Sequence, residues 1–162
     1  MPDDERWLRH TFALAEKAVE LGDYSFGAAL VGPDDNLWLE SAQSVARTGK
    51  WLNHAELTLL LEAANRWGRQ DIAECTLYSS TEPCPMCSGA IAWSVNRLVY
   101  GLSQARMYEL YSQSGTAPRF IEPWSCRALL AHVMPAMEVV GPLLEAEAEG
   151  VHLSWMARNQ LR

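Results

Sequence analysis

Apolar positions along the chain switch between two spacings. Trp7, Leu8, Phe12, Ala15 and Val19 recur every three or four residues, which predicts a helix capped by Asp3 or Asp4 and running to about Leu21, where Gly22 stops it. Phe26 to Val31 is a short apolar run of the kind that makes a buried strand. Gly32-Pro33-Asp34-Asp35-Asn36 is turn chemistry, and Leu37-Trp38-Leu39 reads as the returning strand of a hairpin. Ala42 to Lys50 is polar and reads as a surface loop. Leu57, Leu60, Leu61 and Ala64 predict a helix from near Asn53 to Gly68. Thr76–Tyr78 and Arg97–Tyr100 read as strands, with a helix from about Pro85 to Trp93 between them. Met107–Tyr111 predicts another helix, and the stretch after Pro135 reads as a strand. Leu143–Trp155 looks helical, although Gly150 weakens it. Strands alternating with helices imply an α/β layered fold, and the hairpin makes its sheet mixed. No repeat or linker interrupts this pattern, so residues 1–162 are expected to form one domain.

Charge narrows the function classes. The chain carries 13 Lys+Arg against 20 Asp+Glu, a net −7, so it has no overall attraction for phosphate backbones or anionic membranes. No stretch approaches the ~20 apolar residues of a membrane span. The acidic start Met-Pro-Asp-Asp-Glu-Arg lacks a secretory pattern. A cytoplasmic location is expected. In that compartment the four cysteines suggest metal binding or reactive thiols before disulfides. Cys75 and Cys126 read as packing residues, and His10, His132 and His152 as ordinary histidines without partners at ligand spacing.

Two segments carry candidate chemistry: His54-Ala55-Glu56, and Pro83-Cys84-Pro85-Met86-Cys87. Zinc takes thiolate and imidazole ligands tetrahedrally, and a catalytic site leaves the fourth position open. Cys84 and Cys87, on the first turn of a helix, project to the same side, and the helix dipole favours their thiolates. His54 supplies a third ligand. Two thiolates neutralise the cation, so the site needs a general base, and Glu56 is close enough to serve. Other readings exist for each piece. Asn53 with Glu56 resembles a capping box, Cys84 and Cys87 could be a redox pair or half of a structural zinc site, and His54 could be structural.

In this order the segments resemble the zinc-dependent cytidine, adenosine and guanine deaminases, whose signature is His-Ala-Glu followed by Pro-Cys-x-x-Cys. Phe26-Gly27-Ala28-Ala29-Leu30-Val31 is similar to the family's Phe-Gly-Ala strand. Thr81-Glu82-Pro83-Cys84-Pro85-Met86-Cys87-Ser88-Gly89-Ala90-Ile91 is similar to the purine-acting branch, and the resemblance covers roughly residues 5–112. It implies a three-layer α/β/α fold with a mixed sheet of about five strands. It also implies a zinc cofactor, and hydrolytic deamination of an aminated purine-like nucleobase or nucleoside by zinc-activated water, with Glu56 moving the protons. By the same resemblance, Phe26 would stack on the substrate and the Ala55 amide would help position it. Trp93 would border the substrate too. Gln43, eleven residues before His54, stands where the family usually has an asparagine that reads ring atoms. Between Gly101 and Phe120 the only acid is Glu109, where guanine deaminases have a base-reading aspartate, so Glu109 and Glu122 are both candidate readers. Residues 142–162 form a C-terminal segment that could be exchanged between subunits, and by the resemblance a mobile or exchanged C-terminal segment could place an aromatic such as Trp124 or Trp155 over the pocket. The partner implied is a small aminated heterocycle, and the assembly a homodimer. A tRNA adenosine deaminase and a non-catalytic structural-zinc or dithiol protein stay open as alternatives.

Overall fold

The computed structural model describes residues 3–115 and 124–159. Helix α1 (Asp4–Glu20) starts under an Asp3 side-chain cap on the Arg6 amide. It leads to the hairpin β1 (Gly27–Val31) and β2 (Leu37–Ala42). A four-residue helix α2 (Val45–Thr48) then precedes α3 (Ala55–Arg66) and the short α4 (Arg69–Ala73). Next come β3 (Thr76–Thr81), α5 (Pro85–Ser94), β4 (Arg97–Leu102) and α6 (Gln104–Gln113). The chain ends in α7 (Cys126–Val133), β5 (Glu138–Val140) and α8 (Glu145–Arg158).

The five strands form one mixed sheet in the order β2-β1-β3-β4-β5. β1 is antiparallel to both β2 and β3, while β3, β4 and β5 run parallel. Successive strand residues alternate between two cores, as the pleat dictates. Ala28, Leu30, Leu77, Leu98 and Tyr100 face the core under α3, α5 and α7. Ala29, Val31, Tyr78 and Val99 face the core under α1 and α8, which Leu102 joins as the alternation breaks at the last residue of β4. The result is the three-layer α/β/α architecture expected of the cytidine-deaminase-like fold. No helix of the described residues is long and apolar enough to cross a membrane.

Three elements differ from the sequence pattern. The polar segment after Ala42 holds the short helix α2, whose first amides at Ala46 and Arg47 donate to Asp23 Oδ1. Helices α4 and α7 are the other two. α8 tolerates Gly150 because nothing crowds that position, so the residue costs only its helix propensity. α8 lies against α1 and β4 of its own chain.

Helix α1 sits directly on the first residue of β1. A Cβ added at Gly27 would lie 2.7 Å from Leu14 Cβ and 2.8 Å from the Ala15 amide nitrogen, and closer still to the Thr11 carbonyl. The obstacle is mostly backbone and cannot rotate away. Gly27→Ala is therefore expected to destabilise the chain by about 1–3 kcal/mol in urea denaturation. An unchanged midpoint would show that α1 can shift.

Candidate metal centre and active site

Helices α3 and α5 each begin on a candidate ligand, α5 just beyond the end of the central strand β3. His54 is the N-cap of α3 and Cys84 the N-cap of α5, and both have extended backbone. Neither side chain makes a capping hydrogen bond, so both are free to project from the helix ends. Pro85 opens α5 with a preset φ, and the Ser88 hydroxyl donates to the Pro83 carbonyl, tightening the turn that presents Cys84.

His54 Nδ1 lies 3.6 Å from Cys84 Sγ and 3.7 Å from Cys87 Sγ. Among the described residues these three form the one grouping of metal-binding side chains, with donor atoms all within 4.8 Å of one another. Zinc bonds of about 2.3 Å to sulfur and 2.0–2.1 Å to nitrogen at tetrahedral angles place N and S about 3.6 Å apart. The observed spacing fits that ion, and three protein donors leave one tetrahedral position for a non-protein ligand.

The cluster's protonation follows from its geometry. Hydrogen bonding from the Cys87 thiol, and then from His54, holds the Cys84 thiol down to about 4. The Cys87 thiol is pushed up, chiefly because its proton is held by Cys84, and further by burial and the charge of Glu56. Cys84 in turn raises the His54 imidazole. The carboxyl of Glu56 is 5% exposed and is pushed up first by burial and then by the Cys84 charge. Its Oε2 lies 3.6 Å from Cys87 Sγ and its Oε1 accepts from the Ser79 hydroxyl at 3.1 Å. The capping-box reading of Glu56 does not hold. Asn53 turns its amide to the Ser44 and Thr48 hydroxyls, and the cap position falls on His54.

The other sequence candidates divide. Phe26 is half-buried just before β1, and its carbonyl accepts from the Gln43 amide at 3.0 Å. Gln43 is 4% exposed, and its side chain makes no hydrogen bond with another described residue. Ala55 is buried as the first residue of α3, where its N–H has no partner within the helix. Trp93 is not brought to this cluster. It is 73% exposed at the far end of α5, where the Arg69 guanidinium lies over its ring at 5.5 Å. Six residues of helix, about 9 Å of rise, separate it from Cys87. Glu109 is exposed in an ion pair with Arg106 at 2.8 Å. Trp155 packs against Tyr24 and Tyr111, and Trp124 against the core under α5 and α7, whereas Glu122 lies outside the described residues.

Three supporting residues are not singled out from the sequence. Ser79 reaches Glu56 from β3. Glu82 is buried, and its carboxylate accepts from the Gln104 and Cys126 amides, which open α6 and α7. His152, read as ordinary, is buried in a network of hydroxyls. Only Glu82 could have been suspected, from its place in the motif.

Comparison with known proteins agrees with this geometry. The family description "Cytidine and deoxycytidylate deaminase zinc-binding region" matches residues 1–102. A probable cytosine deaminase of Schizosaccharomyces pombe is 36% identical over 90% of this chain and 87% of its own length. A tRNA-specific adenosine deaminase of Haemophilus influenzae is 37% identical over 62% of this chain and 58% of its own. The structure of a guanine deaminase from Nitrosomonas europaea superposes with a TM-score of 0.79 at 21% identity, covering 97% of this chain and 86% of that one. With the motif, the fold and these likenesses in agreement, the chain belongs to the cytidine and deoxycytidylate deaminase family, whose matching region is described as zinc-binding.

Proposed function

We propose that the protein is a zinc-dependent hydrolytic deaminase. It converts a small aminated heterocycle, a purine-like nucleobase or nucleoside or a related ring, to the oxo product and ammonia. The observation that carries this reading is the buried Glu56 carboxylate beside a three-donor cluster that it does not join. A structural zinc site would be closed by a fourth protein ligand. His54, Cys84 and Cys87 would hold the ion. When bound there, zinc supplies a Lewis acid that acidifies water.

The chain's own residues supply the rest. Glu56, with its basicity raised by burial, would take one proton from the attacking water and pass it to the ring nitrogen, and then pass the proton of the added hydroxyl to the amine, which leaves as ammonia while the carbonyl forms. Ser79 holds the carboxylate in place. Phe26 offers an aromatic face to a planar ring, and Gln43 an amide to its polar edge. The Ala55 N–H at the start of α3 favours an electron-rich substrate atom.

Small rings are favoured over tRNA by how the basic side chains are used. Arg9 is paired with Glu147 and Glu5, Arg97 with Asp4 and Glu138, and Arg106 with Glu149 and Glu109. Such pairs leave little positive charge for phosphates on a chain of net charge −7. Cytosine is named for the Schizosaccharomyces pombe relative and guanine for the Nitrosomonas europaea neighbour. An ammonia-release assay across cytosine, guanine, 2,6-diaminopurine, adenine and guanosine tests the small-ring reading. Turnover of at least one is expected, and turnover of a tRNA anticodon stem alone would overturn it.

Glu56→Gln is expected to keep zinc at about one per chain and to lose about 10²–10⁴ in rate. Full activity in that variant would remove Glu56 from its role. Ligation requires two thiolates and a neutral imidazole, while the cluster keeps protons on Cys87 and, below its raised value, on His54. Zinc uptake should therefore release protons in a weakly buffered solution, and zinc affinity should fall as the pH is lowered. Uptake without proton release would argue against these ligands.

A further inference from the structure

His152 on α8 lies outside every motif, and the family match ends at residue 102. It is 1% exposed. Its Nδ1 lies 3.0 Å from the hydroxyl of Ser25, the residue before Phe26, and 3.2 Å from the Tyr111 hydroxyl on α6. Its Nε2 lies 2.8 Å from the hydroxyl of Thr81, the last residue of β3 and three before Cys84. The imidazole also meets the Phe26 ring edge to face, with centroids 5.3 Å apart at 78°. One side chain thus touches both segments that lead into the site: the approach to β1 and the exit from β3.

A neutral imidazole suits this position. It has one N–H and one lone pair, and each hydroxyl around it can donate or accept. The charged form has no counter-ion to itself. Glu149, on the same helix, is already held by Arg106 through two hydrogen bonds. The Tyr111 phenol is pushed up to about 12 by burial and stays neutral, and Ser25, Thr81 and Phe26 carry no charge. Burial accordingly pushes His152 down to about 4.

Resting on the deaminase reading, we infer that His152 is a positioning residue that holds the Phe26 ring and the end of β3 in one frame. In this way α8 sets the plane on which the substrate ring stacks relative to Glu56 and the three donors. A ring platform that tilts loses stacking contact with a planar substrate, so the substrate binds less tightly. The residue touches neither the donors nor Glu56, so its effect should fall mainly on ring binding.

The test is a double-mutant cycle on the zinc-loaded full chain, with KM and kcat from ammonia release and Kd for 2,6-diaminopurine from calorimetry. His152→Gln is expected to raise Kd and KM about tenfold, the loss of one well-placed aromatic contact, with kcat and zinc content little changed. In a Phe26→Leu background the same change should move Kd less than about twofold, because the contact is already gone. Additive effects, or no effect on Kd, would overturn the proposal. Should His152→Gln fail to fold, Ser25→Ala and Thr81→Val each remove one hydroxyl, and an unchanged Kd in both would overturn it. If the wild-type chain neither binds the probe nor releases ammonia, the deaminase reading fails by itself, and the clasp is read by NMR. The His152 ring should then stay neutral down to about pH 5, and His152→Gln should shift the Phe26 ring resonances. Protonation near the ordinary value of 6.5, or unmoved Phe26 resonances, would overturn it. Stability provides a further check. The unfolded chain takes up this proton near pH 6.5 and the folded chain only near 4, so wild-type stability should fall with pH through that window, and less so in His152→Gln.

Discussion

The site depends on two helix starts whose cap residues meet, each with its cap side chain withheld from capping. Ordinary N-caps are Ser, Thr, Asp or Asn, and such a side chain contributes about 1 kcal/mol by bonding the first free amides. Here the positions hold His54 and Cys84, and neither bonds its own helix. The chain forgoes that stabilisation at both ends. In exchange, both helix dipoles point their positive ends at a cluster of sulfur and imidazole, where thiolate charge is favoured. The 3.6 Å separation of Nδ1 and Cys84 Sγ then follows from strand register. β1 beside β3 sets where β3 ends, and α3 packs on β1 and β2 while α5 follows β3.

A loop held only by its ligands would be soft, and Glu82 stiffens it from behind. Its N–H donates to the Leu102 carbonyl, and its own carbonyl accepts from the Gln104 amide group. The carboxylate spans the first amides of α6 and α7. A buried carboxylate is costly unless its lone pairs are met, and two helix N-termini meet them with charge-assisted bonds. Both helices are thereby tied to the residue two before Cys84. Glu82 secures the α5 side of the loop, and His152 contacts the opposite side through Thr81.

Where the sequence was legible, one local period decided the matter. α1, the β1–β2 hairpin, α3 and α5 follow from apolar spacing and turn residues, and His54, Cys84 and Cys87 stand out because two short spacings in a set order encode one tetrahedral chemistry. α2 and α4 span only four and five residues, too few to display a helical period. Trp93 lies near the motif in sequence but about 9 Å of helix beyond Cys87, exposed under the Arg69 guanidinium, so nearness along a helix is not contact with the donors. Ser79, Glu82 and His152 were not legible because their partners are remote, lying 23, 44 and as many as 127 residues away in the chain. Gln43 is an intermediate case. Its spacing from His54 marked it out, whereas its burial beside Phe26 depends on β2 running on to Ala42 and on the short α2 turning the chain back.

Charge at the centre bears on the kind of molecule it can admit. Two thiolates and the Glu56 carboxylate together carry three negative charges when ionised, and a divalent cation leaves the group net negative. A neutral heterocycle meets no Coulomb penalty there, and proton transfer from Glu56 balances the charge that builds on the ring. A phosphorylated substrate would add negative charge, which has to be met by a cation away from the three donors. Arg106, Arg97 and Arg9 are bound to carboxylates of their own chain. The acidic balance of the whole chain and the local count at the three donors therefore act in the same direction. On the proposed reading, a small uncharged ring is the substrate these charges oppose least.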